Sequence, residues 1–298
     1  MKYLVYCVCF LGIIFSLESC KKEEITTYEN LVVDGNKPPP YSGIPVTKIE
    51  IYVNKLYIDV LGKQPTQTEL TTDVTYLKSK ELRMGARDTL IDQLLSKDDY
   101  FKRLYTTGTA KFLEGINAFQ INQEILTQNF IIGILYARGD TFEAQVTEVN
   151  RDKLVKLQQA DSLYQNNHIT VNEFYATFTD NSIYDDINMG SLNFVQSCFE
   201  NYYLRPSSTS ETTNGVGMVD GESKIILLKN GNSKDDFIRI VTESDEFYQG
   251  LVMENYRSFL SRDPKSNESF QATFAFKTSN DLGEMQKSIL KTDEYAGF

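Results

Sequence analysis

The chain has 298 residues, is 41% hydrophobic and 24% charged, and holds only 7 Pro and 17 Gly, which excludes both a disordered polar chain and a multispan membrane protein. Its 30 Lys and Arg against 41 Asp and Glu leave a net charge of -11, which repels the phosphate backbone that supplies most nonspecific nucleic-acid affinity, so no nucleic-acid partner is expected. One His, no Trp and no cysteine cluster leave few of the residues that perform acid–base, nucleophilic or transition-metal chemistry, so neither an enzyme nor a cofactor or metal site is expected.

Lys2 precedes an uncharged stretch from Tyr3 to Leu17. It is shorter than the ~18 to 20 residues of a membrane-spanning helix and suits a secretory signal core. Leu17, Glu18, Ser19 and Cys20 then resemble the lipobox of bacterial lipoproteins, although Glu18 departs from the small or hydroxyl residue usual at its position. The resemblance implies a signal peptide over 1–19 and a lipid anchor on Cys20, with enough acyl chains for stable attachment. Lys21, Lys22, Glu23 and Glu24 resemble the short charged signal that sends Bacteroidota lipoproteins to the outer face of the outer membrane, which implies a cell-surface location.

Cys7 and Cys9 would leave with the signal, so Cys198 is the thiol that remains and no intrachain disulfide is expected. Its neighbours Phe194, Val195 and Phe199 read as buried packing, which suppresses thiol reactivity. Residues 20–46 are polar, carry Gly35, Gly43 and the run Pro38, Pro39, Pro40, and read as a flexible tether.

A first helical module is expected over 47–115. Ile49, Tyr52, Val53, Leu56, Tyr57, Val60 and Leu61 follow the three-four spacing of one helix face. Gly62 supplies a left-handed stop with Lys63 beside the terminal carbonyls, Pro65 prevents continuation, and Thr66 with Glu69 forms a capping box for the next helix. Tyr57, Leu61, Lys63, Pro65 and Glu69 recur as Tyr256, Leu260, Arg262, Pro264 and Glu268, with Ser261 in place of the glycine. A degenerate copy runs Phe199, Tyr203, Arg205, Pro206 and the capping pair Ser208 and Glu211, one residue shorter in the turn.

A second signature closes each unit. Leu90, Leu94 and Tyr100 correspond to Phe174, Phe178 and Tyr184, to Phe237, Val241 and Phe247, and to Met285, Ile289 and Tyr295. The polar runs Ser96–Asp99, Ser244–Glu246 and Thr292–Glu294 suit one helix ending and another being capped. Their paired acids, such as Asp98 with Asp99, then compensate helix dipoles rather than act as catalytic carboxylates.

Between these modules, 116–189 reads as a central helical region with helices in 121–136 and 142–164. Its apolar run from Phe130 to Tyr136 reads as a core helix ended near Gly139. Thr170 with Glu173 caps a further helix, and exposed His168 has no spaced partner for a metal. Residues 190–298 read as tandem helical modules, with a β-hairpin near 216–228 formed by Val216–Val219 and Ile225–Leu228 around Asp220 and Gly221. Asn230, Gly231, Asn232 and Asp235 are similar to a calcium loop, but Lys234 falls where a third oxygen ligand should be, and a turn is expected. The fold class is mainly α, with stacked helical repeat modules and one short hairpin.

The pattern of an aromatic, a leucine, a basic residue and a proline, closed by Ser or Thr, an acid and an aromatic, resembles helical repeats of unknown function in secreted bacterial proteins, themselves similar to phycobilisome-linker domains. Leu56 to Glu69 with Leu90 to Leu113 also resembles a planctomycete-type domain of unknown function. Neither resemblance brings a catalytic residue, and no haem attachment motif is present.

The expected function is a non-enzymatic, lipid-anchored scaffold that binds another envelope protein through the outer face of stacked helices. The alternative is glycan binding within a nutrient-uptake assembly, for which 18 Tyr and 18 Phe offer stacking surface, although Trp is absent. A glycosidase using two carboxylates stands behind both. Glycan binding predicts exposed aromatics in a cleft, partner binding a broad apolar or acidic patch, and a hydrolase two convergent carboxylates.

Overall fold

The computed structural model describes residues 41–298. The expected signal peptide, Cys20 and most of the tether lie outside the described residues. The last tether residues are part of the fold: Tyr41–Gly43 forms a 3-10 turn, and the Tyr41 hydroxyl donates to the Asp293 carboxylate at 3.1 Å.

In chain order the helices are α1 (Val46–Leu56), which continues as a π-helical turn over Tyr57–Leu61, α2 (Gln67–Ser79), α3 (Met84–Leu95) and α4 (Asp98–Phe112). Next come α5 (Ala118–Arg138), α6 (Thr141–Gln158), α7 (Ala160–Gln165), α8 (Val171–Thr177), α9 (Ser182–Ile187), α10 (Ser191–Tyr203) and α11 (Thr209–Val219). A two-stranded antiparallel hairpin of β1 (Lys224–Ile226) and β2 (Lys229–Gly231) precedes α12 (Lys234–Thr242), α13 (Asp245–Leu260), α14 (Ser266–Ser279), α15 (Leu282–Leu290) and α16 (Asp293–Ala296). The fold is mainly α with one short β-hairpin.

The repeat is physical. At its corner the chain turns through a left-handed residue at Gly62 (φ 71°), Leu204 (φ 57°) and Ser261 (φ 55°), whose N–H donates to the carbonyl four residues back. Only glycine adopts this conformation without strain, so the later corners hold Leu204 and Ser261 against a local preference. Each corner is clamped by charge. Arg205 donates to Glu211 at 2.8 Å and to Glu246 at 2.6 Å, while Arg262 donates to Glu268 at 2.7 Å and to Glu294 at 2.6 Å. The first corner shares this work between two lysines, Lys63 to Asp99 and Lys97 to Glu69.

In all three corners the cation lies over the equivalent aromatic ring: Lys97 over Tyr57 at 5.1 Å, Arg205 over Phe199 at 5.2 Å and Arg262 over Tyr256 at 5.4 Å. Tyr57 and Tyr256 therefore occupy like surroundings. Glu211 and Glu268 are held at about 2, each by its arginine first. Glu69 is also held at about 2, first by the Thr66 backbone N–H it accepts from.

The closing signature is equally regular, because all twelve of its side chains are buried. The aromatic N–H is capped by Asn181, Ser244 and Thr292 in three copies. In the first copy Lys97 stands at the cap and makes no capping bond, and Ser96 ends α3 instead of opening α4. The residue at that cap position instead supplies the cation over Tyr57.

The units close on themselves. Phe178 packs against Gly108 and Phe112, α8 against α12, α13 against α15, and α15 back against α3. Tyr52 donates to the Leu290 carbonyl, Tyr100 to Gln286, and Arg87, fully buried, to Leu82, Lys291 and Asp293. A closed arrangement has no exposed end to be capped, unlike an open solenoid.

Two expectations need correction. Val216–Val219 is the last turn of α11 and not a strand: the Ser208–Glu211 capping box opens that helix, and Gly215 lets it lie against Val195 and Phe237. The hairpin follows it, with Leu227 and Leu228 both at positive φ in the two-residue turn. The run Phe130–Tyr136 is not a core helix, since only Ile132 within it is buried.

Candidate functional site

α5 and α6 pack on one another as an antiparallel pair joined at Gly139, which sits at φ 85°. The Asn117–Gln120 capping box opens α5. At the root of the pair, Ile121, Ile125, Leu154 and Leu157 belong to the main core, and Lys153 binds Asp180 and Asp235 at 2.7 Å each. Further out, Ile132 and Ala144 are buried between the two helices but stand apart from that core. The pair is an arm. At 1.5 Å per residue α5 alone is about 31 Å long.

The arm leaves its largest apolar side chains in solvent. Phe119, Leu126, Phe130 and Ile134 on α5, and Phe142, Val146 and Val149 on α6, are exposed, with Phe130 at 71% and Phe142 at 76%. Isolated exposed apolar residues need no explanation, but seven of them on two paired helices make the arm a candidate interaction surface. Between Ala118 and Ala137 the helix carries one charged residue, Glu124, in a chain that is 24% charged. The sequence does hold the signal for this surface, in Phe119, Leu126 and Phe130, which fall two residues before the inner positions Ile121, Gln128 and Ile132 and so lie on the far side of the helix.

A second surface lies beside α14. Phe270 and Phe274, 72% and 67% exposed, stack at 6.5 Å with their rings 15° apart. With Met253 and Pro264 they form the apolar side of a groove of about 880 Å³, and Asp245, Gln249, Ser269 and Lys277 supply its polar side.

A third region is a cleft of about 180 Å³ where Asp59, from the π-helical turn, and Glu254 line the same space as Arg103 and Lys111. Burial raises the Asp59 carboxyl above its ordinary value. Both carboxylates are already engaged, Asp59 by the Tyr295 hydroxyl at 2.8 Å and Glu254 by Lys111 at 2.8 Å. Tyr100, Gln286 and Asn255, which line the same cleft, form a hydrogen-bond chain that ends on the Leu251 carbonyl.

The remaining residues singled out in the sequence take structural places. Cys198 is fully buried, and burial pushes its thiol up to about 12. His168 is exposed, and among the described residues no His, Cys, Asp and Glu group could hold a metal ion. The calcium-like run divides between β2 and the cap of α12, where Ser233 accepts from the Asp236 N–H. Asp98 binds Gln165 and Asp245 binds Lys277, each at a helix start. Cys20 lies outside the described residues. No helix among the described residues is long and apolar enough to cross a membrane. Comparison with protein-family models, curated proteins and solved structures finds no match to the chain.

Proposed function

We propose that this chain is a non-enzymatic envelope lipoprotein, held at the outer membrane by lipid on Cys20 and facing the cell surface, whose closed helical body holds out the α5–α6 arm to bind protein. The observation that carries the reading is the arm itself: exposed apolar side chains on both helices, with α5 carrying one charged residue between Ala118 and Ala137, that no other part of the described chain covers. Burying a Phe or Leu side chain of this kind contributes about 1.5–3 kcal/mol, against roughly 4–15 kcal/mol of freedom lost on association, so it takes several of these side chains together to hold a partner. The repeat resemblance to secreted bacterial helical modules is part of the same proposal and supports a scaffold rather than a catalyst. The engaged state of Asp59 and Glu254 also favours a non-catalytic reading.

Two measurements test it. Cys20→Ser should release the protein from membranes, and retention would remove the anchor. Crosslinking on intact cells should capture protein through the arm, and loss of that capture in Phe130→Glu would tie it to this surface.

The Phe270–Phe274 groove supports a second reading, glycan binding, because it sets exposed stacked rings beside hydrogen-bonding side chains. Calorimetric titration with envelope oligosaccharides, which Phe270→Ala should abolish, separates it from the first.

A further inference from the structure

The first corner of the repeat departs from the other two at three places, and each bears on the cleft of about 180 Å³. Its helix ends in the π-helical turn Tyr57–Leu61, where α10 and α13 stay α-helical up to their corners. Such turns are frequent at functional sites. Within that turn stands Asp59, and the equivalent positions hold Asn201 and Ser258. Asn201 donates to the Tyr184 hydroxyl at 3.1 Å, the neutral counterpart of the bond that Asp59 accepts from Tyr295, so the fold does not require a charge there. The third departure is Gly62, because the other corners carry Leu204 and Ser261 in the same left-handed conformation. A Cβ on Gly62 would stand 2.9 Å from Cδ of Arg103, so the glycine makes room for the stem of that arginine.

The charges of the cleft are laid out in order. Arg103, Thr107 and Lys111 line it at intervals of four along α4, which puts them on one helix face. Lys111 closes on Glu254 at 2.8 Å. Two turns back along α4, about 12 Å away, Arg103 acts on Asp59 by charge without pairing with it. Asp59 accepts from Tyr295 through Oδ2, which leaves Oδ1 available, and among the described residues the Arg103 guanidinium has no hydrogen-bond partner. Further in, Gln286 and Asn255 are 7% and 8% exposed, and each uses one of its two amide N–H donors. Tyr175 lines the same space, and its hydroxyl has no partner among the described residues.

We propose that this cleft binds a free α-amino acid with a small side chain, its carboxylate on Arg103 and its ammonium on Asp59. The proposal is independent of what the arm binds. A guanidinium fork matches a carboxylate with two parallel hydrogen bonds, and the open oxygen of Asp59 accepts from an ammonium. A ligand with one charge alone would leave the other member of the pair unmatched in a site partly removed from water. Size sets the side chain: a cavity of about 150 Å³ admits benzene, so one of about 180 Å³ admits a zwitterion only when little is attached to it. The spare amide donors and the Tyr175 hydroxyl then meet whatever polar atom that side chain carries.

The test is calorimetric titration of the full chain in detergent with L-alanine and with L-serine, set against acetate, ethylammonium and O-phosphoethanolamine. At least one of the two amino acids should bind saturably with a Kd below about 1 mM, and acetate and ethylammonium at least about tenfold more weakly. Asp59→Asn keeps an acceptor for Tyr295, and Arg103→Gln alters an exposed side chain, so both should leave the circular dichroism spectrum unchanged. Each should weaken binding by about tenfold or more. If Asp59→Asn does not fold, Arg103→Gln decides alone. Absence of binding by either amino acid up to ~10 mM overturns the proposal. So does acetate or ethylammonium binding as tightly, which would make this a site for a single charge, or O-phosphoethanolamine binding more tightly, which would make the ligand a lipid headgroup. Binding that survives Arg103→Gln places the amino acid elsewhere and overturns it too.

Discussion

At the corners of the repeat, Glu69, Glu211 and Glu268 each lie between a helix start and a basic side chain, and the aromatic ring beneath is covered. Along α5, twenty residues pass with one carboxylate, and the large rings point into solvent. The corners use charge to satisfy helix ends that meet inside one chain, where backbone N–H groups need acceptors. The arm has no helix ends to satisfy along its length, and its apolar faces exceed what its own pair can bury. Its surface is therefore unsatisfied in a way that the corners are not, and association is the remaining route to cover it.

The largest effect that would sharpen this contrast comes from one methyl group placed in the body. A Cβ on Gly250 of α13 would stand 2.0 Å from the backbone carbonyl oxygen of Tyr202 on α10, and a backbone atom cannot rotate away. Gly250→Ala should lower stability by roughly 3 kcal/mol, seen as a drop in the urea midpoint at unchanged slope. An unchanged midpoint would mean that the crossing of α10 and α13 is looser than drawn.

The charged corners come next. Arg205 holds the Glu211 carboxyl at about 2, below its ordinary 4.5. A depressed carboxylate stabilises the fold fully above its unfolded pKa and loses that contribution as pH falls towards its folded pKa, so the window runs from pH 4.5 down to about 2. Glu211→Gln should cost about 1 kcal/mol at neutral pH after allowance for solvent screening, and should flatten the acid loss across that window. Equal acid sensitivity in variant and wild type would show that the corner charges contribute nothing.

How far the sequence reached follows the same divide. The corners and closing signatures were legible because glycine or its substitute, proline, the capping glutamate and the buried aromatic are local signals that sit at fixed spacing. Val216–Val219 misled because Gly215 and Gly217 depress helix propensity, and the packing of Gly215 against Val195 and Phe237 decided for the helix. Closure of the first unit on the last, through Tyr100 with Gln286 and Arg87 with Asp293, pairs residues about 200 positions apart and leaves no periodic trace. The arm failed for a different reason. The apolar run Phe130–Tyr136 reports that a helix is apolar and says nothing about what covers it. The candidate surface was thus visible as pattern and invisible as exposure.

Glycine also gives the opposite sign in the arm. A Cβ on Gly133 meets no atom within 4 Å. Gly133→Ala should raise stability by between about 0.5 and 1 kcal/mol, since the change relieves only backbone entropy within a helix. A loss on thermal melting would place a neighbour where the chain itself has none.

The smallest expected effect is the most discriminating. Phe130 is 71% exposed, so Phe130→Glu removes almost no intramolecular contact and should shift stability by less than about 0.5 kcal/mol when the protein is alone. Association adds a term that depends on partner concentration, because a partner that binds only the folded chain stabilises it by mass action. The wild-type Tm should therefore climb as the protein captured by the arm is added, while the variant Tm stays flat, and the two curves should meet when none is present. Parallel curves would mean that Phe130 is spectator surface. A variant that is less stable even alone would mean that Phe130 already packs within its own chain, and the contrast between the covered corners and the open arm would dissolve.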